Sequence, residues 1–367
     1  MRLKIGRTCS QEVKRLNLLQ DAIHKIQCPD RQAEQRVKEA FAQRGGKADD
    51  WGEIADLTAR YAAARGCSRL AIPRKAVVLM AADHGVAARG VSAFSQEVTV
   101  QMICGYLAGC TGANVMARHA GAELIIVDVG VKGDLPPDPR IINRKVARGT
   151  ADFAYGPAMS RADAVKALEA GIEVAYECAA NGVQLLGLAE MGIGNTTSSA
   201  AIASVMCNLP VDQSVGRGSG IGDQRLQIKK QAVLSALAVN NPNRSDVLDV
   251  LSKVGGFEIA GLAGVILGGA ACRVPVFVDG IITTAAALIA QGLHPLACEY
   301  MLGSHISAEP AHREMLETLG VSAPLNLGMR LGEGTGASLG MTLLDAGIGI
   351  AENLFGNGEA GVVGYEE

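Results

Sequence analysis

The sequence has few aromatic residues and almost no excess of either charge. Phe, Trp and Tyr make up 4% of the 367 residues, and the formal net charge at pH 7 is -3. Proteins that hold nucleic acid or an anionic membrane use basic surfaces, and those that hold single strands add stacked aromatic side chains. We therefore expect a small-molecule partner, with no nucleic acid and no membrane.

Paired cysteines, a signal peptide and long apolar runs are also missing. The nine cysteines are scattered without a C-x-x-C pair, which disfavours a disulfide framework and a structural zinc site. We expect most of them to be small core residues in a reducing compartment. The N-terminus, MRLKIGRTCSQEVKRL, lacks the apolar core of a signal peptide, and Gly or charged residues interrupt the longest apolar runs. A cytoplasmic protein is predicted.

Motifs for metal hydrolysis and triphosphate binding are absent from the sequence, and no nucleophile elbow is recognisable. The six histidines form no H-E-x-x-H spacing, and G-K-[ST] does not occur. The G-x-S-x-G spacing occurs as GASLG at 336–340, but it follows no clear strand, as an elbow would require. We expect no required metal and no other cofactor, and serine hydrolysis has little support. The pattern G-x-G-x-x-A at 332–337 follows no clear strand, and the early part of the chain lacks a good G-x-G-x-x-G. A dehydrogenase is therefore disfavoured.

The pattern of apolar and charged residues changes at Arg74. Residues 10–66 carry spaced apolar positions among many charges, which is typical of amphipathic helices. Beyond that point, short apolar runs alternate with helical stretches rich in Ala and Gly, a pattern that indicates a parallel sheet buried on both faces. The predicted strands are 76–82, 122–129, 183–189, 274–279 and 299–303.

Nearly every apolar run ends in a polar turn that contains Gly. In an open parallel sheet, the carboxyl ends of the strands lie on one edge, where the loops form a ligand crevice. Asp, Asn and Gly also suit ordinary turns, but five such loops in succession favour an active site. The side chains expected to gather there are Asp83, His84, Asp128, Glu190, Asn195, Asp279, Ser304, His305, Ser307 and Glu309.

A carboxylate stands inside a Gly-rich turn near the C-terminus, in GEGTGASLG (332–340). Glycines let the backbone approach a ligand closely, and a carboxyl group that is partly shielded from water has a raised pKa that suits a general base. A helix-capping role suits Glu333 equally well when this segment is considered alone.

Two further segments are candidates for phosphate binding. GRGSGIGD (216–223) is followed by basic residues that include Lys229, as in a phosphate nest with an adjacent cation. A flexible loop before a surface helix is the simpler interpretation of that fragment. MGIGNTTSS (191–199) combines a Gly turn with hydroxyl groups at a helix start, which suits either phosphate binding or capping.

The order of these motifs resembles the nicotinate-nucleotide–dimethylbenzimidazole phosphoribosyltransferase family of cobamide nucleotide-loop assembly. The resemblance covers about residues 75–340, and its strongest portions are AADHGVAARGVS, GPAMSRADA, EMGIGNTT, DVLSKVGGFEIAGLAGVILGGA, VPVFVDG, SHISAE and MRLGEGTGASL. It implies an α/β fold with a Rossmann-like, mostly parallel sheet, helices on both faces, and a small helical domain built from the N- and C-terminal segments. It also implies a homodimer. We place the N-terminal part of the small domain at 1–66, the catalytic domain at 67–310, and the C-terminal segment with the catalytic loop at 311–367.

The resemblance also implies an activity and a set of roles. The activity is transfer of the 5-phosphoribosyl group of nicotinate mononucleotide to a cobamide lower-ligand base, such as 5,6-dimethylbenzimidazole, with Glu333 as the catalytic base. Glu190 matches the acidic residue before the Gly-Asn-Thr-Thr turn, and Lys229 matches a basic residue near the phosphate. The other expected substrate-binding residues are Gly192, Gly218 and Ser307 around the ribose phosphate, Asn195 and Asp279 in the crevice, and Phe94, Met102 and Met191 at the acceptor.

Two departures from the family leave alternatives open. The N-terminal region reads VKEAFAQRGGKADDWGEI in place of a Lys-Pro-Pro-Gly-Ser-Leu-Gly-like motif, so the small domain and the dimer contacts are the least determined features. The three acceptor positions are all apolar, which leaves phenol or p-cresol as alternative acceptors, with a paralogous subunit as a further partner. A non-catalytic nucleotide-binding subunit is the second alternative, and the presence of Glu333 counts against it.

Overall fold

The structure is a computed structural model that describes residues 18–43 and 48–353. Its strands are β1 (Lys75–Ala82), β2 (Ala122–Gly130), β3 (Ile141–Asn143), β4 (Leu185–Met191), β5 (Val276–Val278) and β6 (Met301–Gly303). Its helices are α1 (Leu18–Lys25), α2 (Arg31–Gln43), α3 (Gly52–Arg65), α4 (Glu97–Ala108), α5 (Gly112–His119), α6 (Arg161–Ala180), α7 (Asn195–Met206), α8 (Val211–Ser214), α9 (Asp223–Asn240), α10 (Val247–Val254), α11 (Phe257–Ala271), α12 (Ile281–Leu293), α13 (His312–Leu319) and α14 (Thr335–Asn353). Short 3-10 turns lie at Ala48–Trp51, Gly85–Arg89 and Pro295–Tyr300.

The six strands form one sheet in the order β3-β2-β1-β4-β5-β6, and every neighbouring pair is parallel. This order is typical of Rossmann-like folds, with the strand order reversing between β1 and β4. The predicted α/β class and parallel sheet are confirmed, and all five predicted strands are present. The three residues of β3 were missed because an edge strand of sequence IIN is too short to stand out as an apolar run.

Alternate residues of the strands pack against opposite layers of helices. In β1, Val78 and Met80 join the core formed with α6, α7 and α9 to α12, whereas Val77 and Leu79 join the core formed with α2 to α5 and α14. Every residue of β1 is buried. Burial on both sides explains why this strand reads as a continuous apolar run without polar alternation.

Helices α6 and α11 cross in direct backbone contact on one face of the sheet. A Cβ atom added at Gly171 would lie 1.8 Å from the carbonyl oxygen of Gly261, and one added at Gly264 would lie 1.9 Å from that of Leu168. Only glycine fits these positions. The apolar, Gly-rich stretch FEIAGLAGVILGGA is therefore a helix packed tightly against the centre of the fold.

Helices from both ends of the described chain meet on the face of the sheet away from α6 and α11, where α2 and α3 contact α14. Helix α1 lies on the other side of the sheet and contacts α6 and α11. Of the amphipathic helices that we predict within residues 10–66, the parts before Leu18 and at 44–47 lie outside the described residues. The domain limits at 66/67 and 310/311 stay predictions.

The cysteines correct one expectation. Of the eight cysteines in the described residues, only Cys178 is fully buried, and four are exposed, so most are not core residues. The exposed ones are Cys28, Cys67, Cys104 and Cys110. They lie on connecting segments or on the outward face of a helix, which the local sequence does not distinguish from a core position. Within residues 18–43 and 48–353, no helix is long and apolar enough to span a membrane.

Candidate active site

A cavity of about 910 Å³ lies at the carboxyl edge of the sheet. The loops that follow β1, β4, β5 and β6 line it, together with the segment that leads into α14. These loops flank the point where the strand order reverses between β1 and β4, which is the usual ligand position in this class of sheet. The crevice predicted from the sequence is therefore present as a single large cavity.

Glu333 is held in this cavity by an unusual backbone. Gly332, Glu333 and Gly334 all have positive φ, at 78°, 59° and 74°. The left-handed conformation is uncommon for a residue with a Cβ atom, and such residues concentrate at functional sites. The backbone N–H of Glu333 donates to Oε1 of Glu190 over 3.2 Å, which fixes the turn. The Glu333 carboxylate is half-buried and lines the cavity.

Asp279, the residue after β5, anchors the start of α14. Its Oδ2 accepts from the N–H of Gly334 at 3.2 Å, and its Oδ1 accepts from the N–H of Ala337 at 2.9 Å. The first N–H groups of a helix have no partner within the helix, so a carboxylate supplied by a neighbouring strand satisfies them. Asp279 therefore holds in place the turn that carries Glu333.

Three carboxyl groups meet at this end of the cavity, and burial raises the pKa of each. The pKa of Glu190 is raised well above its ordinary value, mainly by burial and further by the nearby Glu333 and Asp279. Burial is also the main cause of the raised pKa of Glu333, and the nearby Asp279 raises it further. The pKa of Asp279 is raised by burial as well, while His305 acts to lower it. Groups this close titrate together. The cluster has a strong affinity for protons and for positive charge.

Lys229 lies beneath the phosphate-loop candidates. It is fully buried, and its Nζ donates to Thr196 Oγ1 at 2.9 Å and to the carbonyl oxygen of Gly216 at 3.0 Å. Burial lowers its pKa to about 8, and the nearby Glu309 opposes that shift. Lys229 thus joins the Asn-Thr-Thr turn to the GRGSG loop from below.

The GRGSG loop is also joined to the loops on either side of it. Gly218 has φ of 51°, and its N–H donates to Glu309 Oε1 at 2.8 Å. Its carbonyl accepts from Arg330 Nη1 at 2.9 Å. Ser219 Oγ accepts from the N–H of Ala93 at 3.0 Å, which links the loop to the segment after β1. Three walls of the cavity are therefore mechanically coupled.

The end of the cavity nearest α4 is apolar. Phe94 is 55% exposed at its mouth, Met102 is half-buried on α4, and Met191 at the end of β4 is buried. Val98 completes this surface. Flat apolar ring systems are bound by such walls, so this end suits an aromatic substrate while the Gly-rich turns suit a phosphate.

Most of the predicted site residues reach the cavity. Those that line it are Phe94, Met102, Glu190, Met191, Gly192, Asn195, Gly218, Asp279, Ser307 and Glu333, joined by His305 and Glu309. Lys229 is not among the lining residues and lies directly behind the wall. Asn195 Nδ2 donates to Glu190 Oε2, so it also orients a lining carboxylate.

Four residues expected at this edge do not line the cavity. His84 Nε2 lies 2.5 Å from Glu258 Oε1 in a buried pair, and Asp83 accepts from Thr99 Oγ1 at 2.7 Å. The other two are Asp128, which pairs with Lys145 at 3.1 Å, and Ser304, which donates to the carbonyl of Val278 at 2.7 Å. These side chains close hydrogen bonds beneath the loops, so they brace the edge instead of facing it.

Three residues that shape the site were missed in the sequence. Ser219 and Arg330 fall inside or beside recognised motifs, but a loop serine or arginine gives no individual signal. Tyr106 is buried, and its hydroxyl lies beside Glu333 and Glu190. It follows Met102 by four residues, one turn of α4, so helical periodicity would have found it once Met102 was assigned to the site.

The carboxylates of this site do not form a metal-binding cluster with their neighbours. Among the described residues, no group of three or more His, Cys, Asp or Glu side chains is placed to hold a metal ion. The absence of a required metal or other cofactor stays a prediction.

A parallel sheet in this order, with a cavity of carboxylates and Gly-rich turns at its carboxyl edge, defines a Rossmann-like α/β enzyme of small-molecule chemistry. A family model described as "Phosphoribosyltransferase" matches residues 26–362. The nicotinate-nucleotide–dimethylbenzimidazole phosphoribosyltransferase of Desulforamulus reducens is 46% identical over 95% of this chain and 99% of its own length, and that of Geobacter metallireducens is 50% identical over 85% and 88%. The crystal structure of the enzyme of that name from Thermus thermophilus superposes with a TM-score of 0.85 at 40% identity, covering 92% of this chain and 100% of the other. The chain belongs to the nicotinate-nucleotide–dimethylbenzimidazole phosphoribosyltransferase family, and it is a pentosyltransferase.

Proposed function

We propose that this enzyme transfers the 5-phosphoribosyl group of nicotinate mononucleotide to the nitrogen of a cobamide lower-ligand base, 5,6-dimethylbenzimidazole or a close relative. The products are nicotinate and the α-ribotide of the base. The observation that carries the proposal is Glu333, a carboxylate held in left-handed backbone between two glycines in the lining of the cavity. The names of relatives that align along nearly the whole chain support the same reaction.

The donor and the acceptor make unequal demands on the protein. The ring nitrogen of nicotinate mononucleotide carries positive charge and becomes a neutral pyridine nitrogen as nicotinate departs, so its departure needs little acid. The azole nitrogen of the acceptor must lose its proton as it attacks the anomeric carbon. We assign that proton to Glu333, whose burial raises the pKa of the carboxyl group toward the working range of a general base. Attack opposite the leaving group converts the β-nucleotide into an α-riboside.

The carboxylates of Glu190 and Asp279 add an electrostatic contribution. Both are buried within reach of Glu333, and each is held by backbone N–H donors from the Glu333 turn. An oxocarbenium-like transition state carries positive charge at the ribose, and fixed negative groups in a shielded site stabilise such charge strongly. Their positions do not have to change during the reaction, because they are already hydrogen-bonded.

The opposite end of the cavity supplies orientation. We assign the phosphate to the backbone of Gly192 and Gly218 and to Ser307, with Lys229 behind them as the compensating charge. Gly192 has no room for a side chain, because an added Cβ would lie 2.1 Å from the carbonyl oxygen of Ala82. Phosphate binding holds the ribose in place, and the bond-making and bond-breaking steps are carried out at the carboxylate end.

The test uses purified protein, nicotinate mononucleotide and a mixture of candidate bases, with mass analysis of the ribotide. We expect a benzimidazole ribotide and release of nicotinate. Glu333→Gln should lower kcat by roughly 10²–10⁴-fold, the usual contribution of a general base, while nicotinate mononucleotide still binds. Glu314→Gln on the exposed face of α13 is the matched control. Absence of any ribotide would favour a non-catalytic nucleotide-binding subunit.

A second acceptor class has one observation in its favour. Phe94, Met102 and Met191 present only apolar groups to the cavity, and none of them can bond to the second nitrogen of an azole. Phenol and p-cresol need no such partner. We assign benzimidazoles as the better acceptors and phenols as the poorer ones, and competition between the two in one reaction decides the order through their kcat/KM ratio.

Assembly belongs to the same proposal. A homodimer is predicted from the family, and a heterodimer with a paralogous subunit is the alternative. Light scattering of the purified chain distinguishes a dimer from a monomer, and activity of the chain alone would exclude a requirement for the paralogue.

A further inference from the structure

The hydroxyl group of Tyr106 is a buried hydrogen-bond donor next to Glu333 and Glu190. The residue is 2% exposed, and among residues 18–43 and 48–353 its hydroxyl has no hydrogen-bond partner. A buried polar group without a partner destabilises the folded state, so such groups are rare and usually have a use.

Tyr106 lies behind the catalytic carboxylate instead of in the substrate space. It is absent from the lining of the large cavity, while Met102, one turn earlier on α4, belongs to that lining. The neighbouring charges that act on its hydroxyl are those of Glu333 and Glu190. The helix therefore presents Met102 to the acceptor end and Tyr106 to the base that serves it.

The surroundings of Glu333 make this donor important. The carboxyl groups of Glu190 and Asp279 lie close to Glu333, and they repel the negative charge of its carboxylate. The Tyr106 hydroxyl is the side-chain donor that favours the ionised form of Glu333. In this structure the two groups lie near each other but outside good hydrogen-bond geometry. Catalytic hydrogen bonds commonly tighten only when the substrate is bound.

We propose that Tyr106 is a positioning residue for Glu333, donating its hydroxyl proton to one carboxylate oxygen and leaving the other oxygen to face the acceptor nitrogen. This inference rests on the proposed function. In the transfer step the acceptor N–H bond breaks and its proton forms an O–H bond on the free oxygen of Glu333. The nitrogen bonds to the anomeric carbon, and the bond to nicotinate breaks with its electrons on the nicotinate nitrogen. Tyr106 keeps its own proton throughout.

The burial of Tyr106 is consistent with a donor that does not ionise. Burial raises the pKa of its phenol, and the adjacent Glu333 carboxylate raises it further. A phenol in that condition holds its proton across the working pH range and can only donate to a carboxylate. It therefore orients Glu333 without competing for the proton that Glu333 removes.

Tyr106→Phe removes the donor and leaves the ring in place. We expect kcat to fall about 10-fold, the KM for nicotinate mononucleotide to stay within twofold of the parent value, and the acid limb of the kcat/KM profile to move to higher pH. In a Glu333→Gln background the same substitution should have no further effect on kcat. Tyr176→Phe is the matched control, because the Tyr176 hydroxyl is also buried, has no partner within the described part of the chain, and is not acted on by the site's carboxylates.

A second measurement needs no turnover. In protein labelled with ¹³C-glutamate, the carboxyl resonance of Glu333, assigned by its loss in Glu333→Gln, should titrate at higher pH in Tyr106→Phe and at the parent pH in Tyr176→Phe. A shifted titration without ribotide formation would sink the proposed function and keep the positioning role. An unshifted titration, or an equal loss of kcat in the Glu333→Gln background, would overturn the role of Tyr106.

Discussion

The backbone N–H of Glu333 donates to the carboxylate of Glu190, 3.2 Å away. The two residues are 143 positions apart in the chain, yet this contact sets where the side chain of the proposed base points. Glu190 closes strand β4, and Glu333 precedes helix α14. A rigid strand end therefore fixes the conformation of an otherwise unfavourable turn.

The acid limb of the pH–rate profile should lie above the pKa of an ordinary glutamate. Burial, with Asp279, raises the pKa of Glu333, and a base works only when it is deprotonated. Activity should thus be lost as pH falls through a value higher than about 4.3, the ordinary pKa of Glu. Measured kcat/KM between pH 4 and 8 checks this, and a limb at or below the ordinary value would count against Glu333 as the base.

Glu333→Gln should not destabilise the protein at neutral pH. A carboxyl group whose pKa is raised by folding stabilises the fold while it is protonated, and it loses that contribution as pH rises through the raised value. The amide of Gln at this position does not ionise, so the variant does not lose stability as pH rises. We expect its melting temperature to equal or exceed that of the parent at pH 8, with the difference shrinking toward pH 4. A lower melting temperature at pH 8 would mean that the ionised carboxylate has a structural partner.

The KM for nicotinate mononucleotide should rise above about pH 8. Burial lowers the pKa of Lys229 to about 8, so its positive charge is present below that pH and is lost above it. Lys229→Met should raise this KM at least 10-fold at pH 7 and abolish the rise above pH 8. Lys230→Met, which removes a neighbouring lysine paired with Asp212, is the control and should retain the parent profile.

Ser219→Ala should weaken acceptor binding although Ser219 belongs to the phosphate-side loop. Its hydroxyl accepts from the N–H of Ala93 and lies 3.2 Å from Ser92 Oγ, so it holds the segment that carries Phe94. Loss of a hydrogen bond worth about 1 kcal/mol should raise the acceptor KM about fivefold. Ser235→Ala on α9 is the control. Equal KM values for the two variants would show that the loops are not coupled through Ser219.

Two glycines of one loop separate the effect of backbone strain from that of a clash. Gly328 and Gly332 both have positive φ, but an added Cβ meets nothing within 4 Å at Gly328 and lies 2.5 Å from Glu190 Oε1 at Gly332. Each alanine variant should lose about 1 kcal/mol of stability from its conformation. Only Gly332→Ala should also lower kcat, by at least 10-fold, because it displaces Glu190. Similar kcat values in the two variants would refute this explanation.

The sheet was largely predictable because burial on both faces requires strands that are apolar at nearly every position. Strands such as β1 and β4 must be apolar at every position, and their loops must turn sharply, so each appears as an apolar run before a polar, Gly-containing turn. The edge strand β3 is half exposed and only three residues long. No local pattern of that size is distinctive.

The site was predictable where backbone conformation and chemistry coincide. The turn around Glu333 needs glycines for its positive φ and a carboxylate for the proposed proton transfer, so both appear in one motif. Polar residues at other strand ends give the same local signal whether they face the cavity or brace it. His84 pairs with Glu258, 174 positions away, and only the tertiary structure reveals that partner. The same holds for Tyr106 and Glu333.

Apart from Met191 at the end of β4, the two ends of the cavity have separate origins along the chain. Phe94, Val98 and Met102 come from one continuous stretch that leads into α4, whereas the carboxylates and the phosphate-side turns come from the ends of β4, β5 and β6 and from the start of α14. Evolution, or an engineer, can therefore exchange the residues from 91 to 102 to accept a different aromatic ring. Tyr106 and the residues that we propose to cleave the nucleotide would be inherited intact.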